Sequence, residues 1–579
     1  MDGLGTEESH GDKRRQHHGT QNGRANISRV EDPVECSAEP YDQCQHIQIP
    51  QHDHWSHYND LLNMSDTPPT IDWLDWGIVA FERAAREDKP ILLALVAPWC
   101  EHCTAMDRTT YAHREVARLV DARFVAIRVD TDRRPDINER YNLGGWPTTA
   151  FLTPDGQVFG GGTFIGADRM PGVLSDVAEA FAHRRSEIAA REAAFQTRGE
   201  SVPKTVMDDD PLVWLSSRLL ESFDREKGGF GIGPKFPHVP ALTLALERYR
   251  DTRDPLLREL VTTSLDRLTM LSDTEDGGFF RYAANRDWSA PHTAKLLPDN
   301  ADLIRLYLDA GAVLERREYV DLAKRTIDWV QRVLARPRGG FAASQAADTA
   351  YYGRSKADDD ARSLLTTPKV DHTAYADSSA AMIASYLRAA EILEDQSLRD
   401  VALRALDEMM LAAYRPGKGV AHVIGPEPDV WGLLSDQVRV VEALLLAHMA
   451  TDQLPYSMLA AELMEYTMRA MWDDEQGGLR DRARTEAHSD LGLLSRALRP
   501  FVTNCEAARM LFRLSLVTGR KTYIETATQT LASLGAAYRD DPLLGASYGL
   551  AVREIGEGRL PHGWSLSYVD WRLSEPEED

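Results

Sequence analysis

The feature that most constrains this fold is a regular alternation of helix and glycine-rich turn over the last two thirds of the chain. Apolar residues recur at helical spacing in twelve segments, near 211–224, 238–250, 255–272, 298–314, 318–335, 377–394, 397–413, 433–451, 456–472, 499–517, 520–537 and 542–555. Four connections share a Gly-Gly pair before an apolar residue, at Phe230, Phe279, Phe341 and Leu479. Glycine supplies the positive φ angles that end a helix and turn the chain. Six helical hairpins with shared loop chemistry predict a closed α/α toroid, with an open solenoid as the alternative.

The preceding segment, from Trp73 to about Arg185, has a different pattern and predicts a separate α/β domain. Short apolar runs at 90–97 and 124–130 are typical of buried strands, a hairpin turns at Pro154-Asp155-Gly156, and amphipathic helices lie between them. We therefore predict a multidomain chain: a disordered head over 1–63, an α/β domain over 64–190 and an all-α (α/α)6 toroid over 205–579. Translation from Met64 is an alternative explanation of the head.

The head is polar and has no hydrophobic period, so we expect a chain that begins at Met64 to keep its unfolding midpoint. It holds seven of the 17 histidines, but their spacing matches no metal-ligand pattern, and we predict no metal.

Composition excludes several classes of function. Lys and Arg total 66 and Asp and Glu total 90, a net charge of −24 that disfavours nucleic-acid phosphates. No run of about 18 apolar residues exists and the N-terminus lacks the apolar part of a secretory signal. We expect a cytoplasmic protein without cofactor, membrane or nucleic-acid partner.

Two of the five cysteines, Cys100 and Cys103, carry the clearest chemical signal. The run Trp99-Cys100-Glu101-His102-Cys103 follows a buried strand and opens a helix, a context that favours thiol–disulfide exchange. We predict Cys100 as the exposed nucleophile, favoured as an anion by the helix N-terminus, and Cys103 as the deeper resolving thiol. A structural metal half-site is the alternative, but it would need two more ligands.

The front domain resembles the thioredoxin-like domain of the spermatogenesis-associated protein 20-like family over residues 73–170. The resemblance rests on matching motifs: Lys89-Pro90, Cys100 to Cys103, Met106, Phe124-Val125, Val129-Asp130, Arg134-Pro135-Asp136, Gly145-Trp146-Pro147 and Phe151 to Gly156. It implies a cis Trp146–Pro147 bond beside the cysteines, and a substrate surface of Trp99, His102, Trp146 and Pro147. It also implies a protein disulfide substrate or redox partner. Glu101 and Thr104 stand where the family has an aromatic residue and a histidine.

The resemblance continues more loosely into the toroid, and implies a six-hairpin fold of the kind used by glycosidases and sugar epimerases. Pocket candidates at the predicted mouth, near the Gly-Gly turns, are His292, Asp299, Asp377 and Asp436. Asp299 and Asp377 have a simpler explanation as helix N-caps. The family's glutamate at position 294 is Ala294 here, so we expect binding of a partner or small polar ligand without glycosidase turnover. A carbohydrate-active or carbohydrate-binding toroid with a regulatory thioredoxin module is the alternative.

Overall fold

The computed structural model describes residues 70–185, 187, 210–337, 339–354, 365–483 and 490–564. All of them belong to one compact unit that spans residues 51–579. The predicted head at 1–63 lies outside the described residues, as do the predicted domain limits at 64, 190 and 205.

The front domain is a four-stranded mixed sheet between two layers of helices. Its elements are α1 (Ile78–Glu87), β1 (Ile91–Val96), α2 (Glu101–Met106), α3 (Arg114–Arg123), β2 (Val125–Asp130), α4 (Pro135–Tyr141), β3 (Thr148–Leu152), β4 (Val158–Gly162) and α5 (Met170–His183). The strand order is β2-β1-β3-β4, with β1 parallel to β2 and antiparallel to β3.

Strand β1 is buried on both faces because all six of its residues are apolar. Ile91, Leu93 and Leu95 pack towards α1 and α4, whereas Leu92 and Ala94 pack towards α3 and α5. This alternation with period two produces the predicted thioredoxin-like arrangement of helices on both sides of the sheet.

The helical sequence pattern that begins at the cysteine pair continues to residue 120, but the structure divides it. Helix α2 leads into a π-helical turn at Asp107–Tyr111, and α3 begins after His113, which is extended. The Thr110 hydroxyl donates to the Ile165 carbonyl and the Tyr111 hydroxyl pairs with Thr149. These tertiary hydrogen bonds hold the turn against the sheet and override the local helical pattern.

The remainder of the described chain is a closed ring of helices, as predicted. The twelve helices that form the ring are α6 (Pro211–Ser222), α7 (Val239–Thr252), α8 (Pro255–Leu268), α9 (Leu297–Leu314), α10 (Arg317–Trp329), α11 (Ala376–Leu393), α12 (Gln396–Ala413), α13 (Leu434–Thr451), α14 (Leu454–Met471), α15 (Phe501–Thr518), α16 (Lys521–Leu534) and α17 (Pro542–Glu557). Helices α7, α9, α11, α13, α15 and α17 pack in sequence, and α17 packs on α7 to close the inner ring. The other six helices form the outer layer, where α6 packs against α17.

The Gly-Gly turns connect an outer helix to the next inner helix, and an aspartate organises three of them. Asp224, Asp273 and Asp473 each accept hydrogen bonds from the backbone N–H groups two and three residues later. The backbone carbonyl of each aspartate accepts from the first glycine of its pair, at 2.7–2.9 Å. Both glycines of each pair have positive φ. The repeated sequence signal is therefore a repeated turn geometry.

The front domain is docked on the end of the toroid where these long connections emerge. The Arg140 guanidinium binds the Asp481 carboxylate at 2.7 and 3.1 Å and also donates to the carbonyls of Leu493 and Arg496. The Tyr141 hydroxyl accepts from the Leu493 backbone N–H. Both members of the Arg140–Asp481 pair are buried, so removal of either one would leave an unpaired charge buried between the two domains.

The opposite end of the ring is covered by residues 559–564. The Trp564 ring lies 3.9 Å from the Arg513 guanidinium, and the Leu560 carbonyl accepts from Arg250 in the last turn of α7. Among the described helices, none is both long and apolar enough to cross a lipid bilayer.

Candidate active site

The cysteine pair lies where β1 leads into α2. Cys100 is the N-cap residue of α2, and its Sγ accepts a hydrogen bond from the Cys103 backbone N–H at 3.2 Å. The Trp146–Pro147 peptide bond is cis, as predicted, and Trp146 packs in the same apolar cluster as the two cysteines. The three described cysteines, Cys100, Cys103 and Cys505, are free thiols.

The two thiols differ in pKa because their surroundings differ. The hydrogen bond between the cysteines lowers the pKa of Cys100, with a contribution from the nearby Arg281 guanidinium that opposes the effect of burial. The same hydrogen bond and burial raise the pKa of Cys103 far above its usual value. Cys100 is thus the thiol more readily ionised, which agrees with the expected division of roles.

The prediction that Cys100 is exposed is wrong. Cys100 is only 2% exposed and Cys103 only 3%, because the toroid covers the site with Ala294, Leu296 and Ala347. The Ala347 backbone N–H donates to the Trp99 carbonyl at 3.0 Å. Close by, the Thr349 hydroxyl donates to the Glu101 carboxylate. The toroid therefore lies on the surface where a thioredoxin-like domain would receive its substrate.

The substrate surface predicted from sequence is largely an interdomain surface. The Trp99 ring makes an edge-to-face contact with the toroid's His292 ring and packs against Trp146, and its indole N–H donates to Asp132. His102 lies instead against Phe164 of its own domain.

Arg281 is a residue of this site to which the sequence assigned no role. It lies in the second long connection of the toroid, just after the Gly277-Gly278 turn. Its guanidinium carbon is 4.5 Å from the centre of the Trp99 ring and 5.0 Å from that of Trp146. Sequence periodicity shows only that Arg281 belongs to a loop, so its position beside the cysteines depends on domain docking.

The four predicted pocket residues divide into two groups. His292 stacks on Tyr282 and contacts Trp99, and burial, with the Arg281 charge, lowers its pKa to about 4. Burial raises the pKa of Asp299 to about 6, with Arg281 opposing this shift. His292 therefore lies beside the cysteine pair, whereas Asp299 is linked to that region only through the charge of Arg281. We expected position 294 to bear on the chemistry of the toroid interior. Ala294 instead packs in the apolar cluster that contains Cys100 and Cys103.

Asp377 and Asp436 lie elsewhere, around a buried histidine that the sequence did not reveal. The Asp436 carboxylate accepts from the Asp377 backbone N–H and is 2.8 Å from His422 Nδ1. His422 Nε2 is 2.8 Å from the Asp132 carbonyl of the front domain. Carboxylates and carbonyls only accept hydrogen bonds, so both ring nitrogens carry protons and His422 is an imidazolium ion.

This cluster has the spacing of a cation site but the chemistry of an ion pair. Ligand atoms of Asp377, His422 and Asp436 lie within 4.8 Å of one another. A metal would have to displace a proton from His422 and break its hydrogen bonds. Because Asp436 is fully buried and its partner His422 bonds the other domain, Asp436 faces the domain interface and not an open sugar cleft.

Loss of the His422 proton should weaken the folded state at alkaline pH. Although burial opposes it, Asp436 raises the pKa of His422 from 6.5 to about 10. The folded state therefore retains a proton that the unfolded chain releases above about pH 6.5. We expect this stabilisation to be complete below pH 6.5 and to fall by about 1.4 kcal/mol per pH unit above it. Urea unfolding of the natural protein and of His422→Gln at pH 6 to 9 measures the difference, and a pH-independent difference would contradict the assignment.

A cavity of about 120 Å³ lies inside the ring and is separate from these sites. Charged side chains of both signs line it, among them Arg305, Arg439, Glu442 and Glu506. None of the four predicted pocket residues lines it, which corrects the prediction that they share one toroid pocket.

Comparisons with known proteins support the thioredoxin-like front domain. The family described as Thioredox_DsbH, a protein of unknown function (DUF255), matches residues 54–198. Thioredoxin-1 of Drosophila melanogaster is 32% identical over 84 residues, which are 14% of this chain and 73% of that protein. A cellobiose 2-epimerase from Spirochaeta thermophila has a TM-score of 0.45 at 16% identity, covering 55% of this chain and 84% of that one.

The chain therefore belongs to the thioredoxin family, with its thioredoxin-like domain docked on a helical toroid. Spermatogenesis-associated protein 20 of Homo sapiens is 31% identical over 310 residues, which are 48% of this chain and 39% of that protein. The resemblance to the spermatogenesis-associated protein 20-like family, expected from the motifs, is thus confirmed. The chain spans about 40% of the length of these curated relatives.

Proposed function

We propose that this protein is a thiol–disulfide oxidoreductase whose cysteine pair works beneath a cover formed by its own toroid. The observation that carries the proposal is the Cys103 N–H donating to the Cys100 sulfur at the start of α2. This geometry favours a thiolate at Cys100 while Cys103 retains its proton.

The proposed reaction transfers two electrons from the dithiol to a disulfide RSSR. The Cys100 thiolate attacks one sulfur, a Cys100–S–SR bond forms and RS⁻ leaves. Cys103 then loses its proton to the departing thiolate and attacks Cys100 Sγ, which releases the second RS group. The products are the Cys100–Cys103 disulfide and two thiols once protonated, and an external dithiol reductant restores the protein.

The toroid is proposed to control access to this reaction. The Ala347 N–H donates to the Trp99 carbonyl, so this carbonyl cannot accept a hydrogen bond from an incoming substrate chain. The cover also leaves both thiols almost inaccessible to solvent. A protein disulfide partner would therefore need the cover to move. The cavity inside the ring, at about 120 Å³, is smaller than the roughly 300 Å³ of small-ligand sites, so it gives no support to a carbohydrate ligand at that position.

Cysteine variants test the proposal. With bis(2-hydroxyethyl) disulfide as substrate and dithiothreitol as reductant, we expect Cys100→Ser to abolish turnover because it removes the nucleophile. Cys103→Ser should accumulate a mixed disulfide on Cys100, detected by intact mass and peptide mapping. The matched control is Cys505→Ser, which removes a buried thiol of α15 and should leave turnover unchanged. Undiminished turnover in Cys100→Ser would refute the proposal.

A further inference from the structure

Among the described residues, the Arg281 guanidinium lacks the carboxylate partner that the most deeply buried cations of the toroid have. Lys235 is paired with Asp224, and Arg513 with Glu554, at 2.9 Å in both cases. In the part of the chain that the structure describes, no carboxylate lies within ion-pair distance of Arg281, and no oxygen accepts a hydrogen bond from its side chain. Its near neighbours are the aromatic rings of Trp99, Trp146 and Tyr282.

These rings stabilise the positive charge but leave the N–H donors of the guanidinium unused. A cation–π contact is electrostatic and supplies no oxygen acceptor, whereas guanidinium carries five donors in a geometry that matches carboxylate. Arg281 is only partly buried and no guanidinium nitrogen is both buried and unsatisfied. Its donors are consequently open to a ligand beside the cysteine pair.

His292 provides an independent indication of a ligand at this site. Its Nδ1 atom is buried and has no hydrogen-bond partner, an arrangement that costs roughly 1–3 kcal/mol. The ring contacts Trp99 on one side and stacks on Tyr282. Because the pKa of His292 is lowered to about 4, the ring is neutral near pH 7 and can form one polar contact through Nδ1.

We infer that Arg281 and His292, together with Cys100, form a binding site for a low-molecular-weight disulfide that carries a carboxylate. This inference rests on the proposed redox function and names its substrate class. The Arg281 guanidinium binds the carboxylate and one substrate sulfur is presented to Cys100, and the His292 Nδ1 atom provides a second polar contact once the substrate has displaced the side chains that bury it. We infer a small substrate because of the cover formed by Ala294, Leu296 and Ala347. A small molecule displaces fewer of the contacts of this cover than an extended polypeptide does.

The test compares a charged disulfide with a neutral one of the same shape. In the Cys103→Ser background, the rate of Cys100 adduct formation is measured with dithiodiglycolate and with its uncharged diamide. The rate with dithiodiglycolate is divided by the rate with the diamide. This ratio is then divided by the same ratio measured for mercaptoethanol, a free thiol. We expect a preference for the anion of about 10-fold or more, the magnitude of a charge-assisted hydrogen bond. Added salt should weaken this preference.

In Arg281→Gln, the preference for the anionic disulfide should fall to within about threefold of the value for the free thiol. Arg281→Lys should retain part of this preference, because lysine keeps the charge. Arg281→Gln also removes a charge that lowers the pKa of Cys100, so both rates fall, but their ratio isolates recognition from thiol acidity. The matched control is Arg317→Gln, at an exposed arginine of α10.

The outcomes separate the two proposals. A ratio equal to that of the free thiol in the unaltered Arg281 protein, or an unchanged ratio in Arg281→Gln, overturns the anion site and leaves the redox function in place. No Cys100 adduct with either disulfide overturns the redox function and the site that rests on it.

Discussion

Replacing Arg140 with alanine should expose Cys100 to alkylation about a hundredfold faster than in the natural protein. Arg140 and Asp481 are 2% and 5% exposed, and the change leaves Asp481 as a buried charge without its main partner at the domain interface. Breaking such a pair costs about 3–5 kcal/mol, and each 1.4 kcal/mol corresponds to a factor of ten in the population of the open state. The measurement is the iodoacetamide rate at Cys100 by peptide mass spectrometry.

The matched control is Arg133→Ala, at a second interdomain ion pair. Arg133 binds Asp429, but their side chains are 46% and 58% exposed, so water screens the pair and its loss costs at most about 1 kcal/mol. Cys505 in α15 is the internal reference, because it is fully buried in the toroid. Equal acceleration at Cys505 would mean general unfolding, and no acceleration at Cys100 would show that docking does not protect the site.

The second large effect is expected from Asp224→Asn in the first Gly-Gly turn. Asp224 binds the ammonium of Lys235, which is fully buried, and the guanidinium of Arg286. Hydrogen bonds from Arg286 and Lys235 lower the pKa of Asp224, while burial lowers that of Lys235. Asparagine keeps an oxygen for the turn but leaves the lysine without its counter-charge, so we expect a loss of about 3 kcal/mol of unfolding free energy at pH 7.

The same chemical change at Asp254 provides the control for this prediction. Asp254 is the N-cap of α8 and accepts from the Leu256 backbone N–H near the surface. Asparagine is an equally good N-cap, so Asp254→Asn should cost no more than a few tenths of a kcal/mol. In Asp224→Asn the cost should shrink towards pH 9, because a neutral Lys235 needs no counter-charge. Equal costs for the two variants in urea unfolding would show that the buried pair contributes nothing.

Several parts of the candidate site follow from local sequence. The buried strand before Cys100, the helix after it and the cis proline at 147 were all predicted, and the structure has each of them. The exposure of Cys100 was predicted wrongly, because nothing near position 100 indicates that residues 294–347 cover it. The sequence marks Arg281 only as part of a loop and gives His422 no signal.

Sequence by itself determined most of the helices, strands and turns of this protein, apart from the break at residues 107–113 that tertiary hydrogen bonds impose. Periodicities of 3.6 and 2 residues and Gly-Gly turns are local signals, and twelve helical hairpin members leave few ways to close a ring. Only the tertiary structure decided which residues form the site. Arg140 and Asp481 are 341 positions apart, and His422 and Asp132 are 290 apart. Such pairs form when two separately folded surfaces meet, and the shape and charge of those surfaces are set by packing, which no local pattern records.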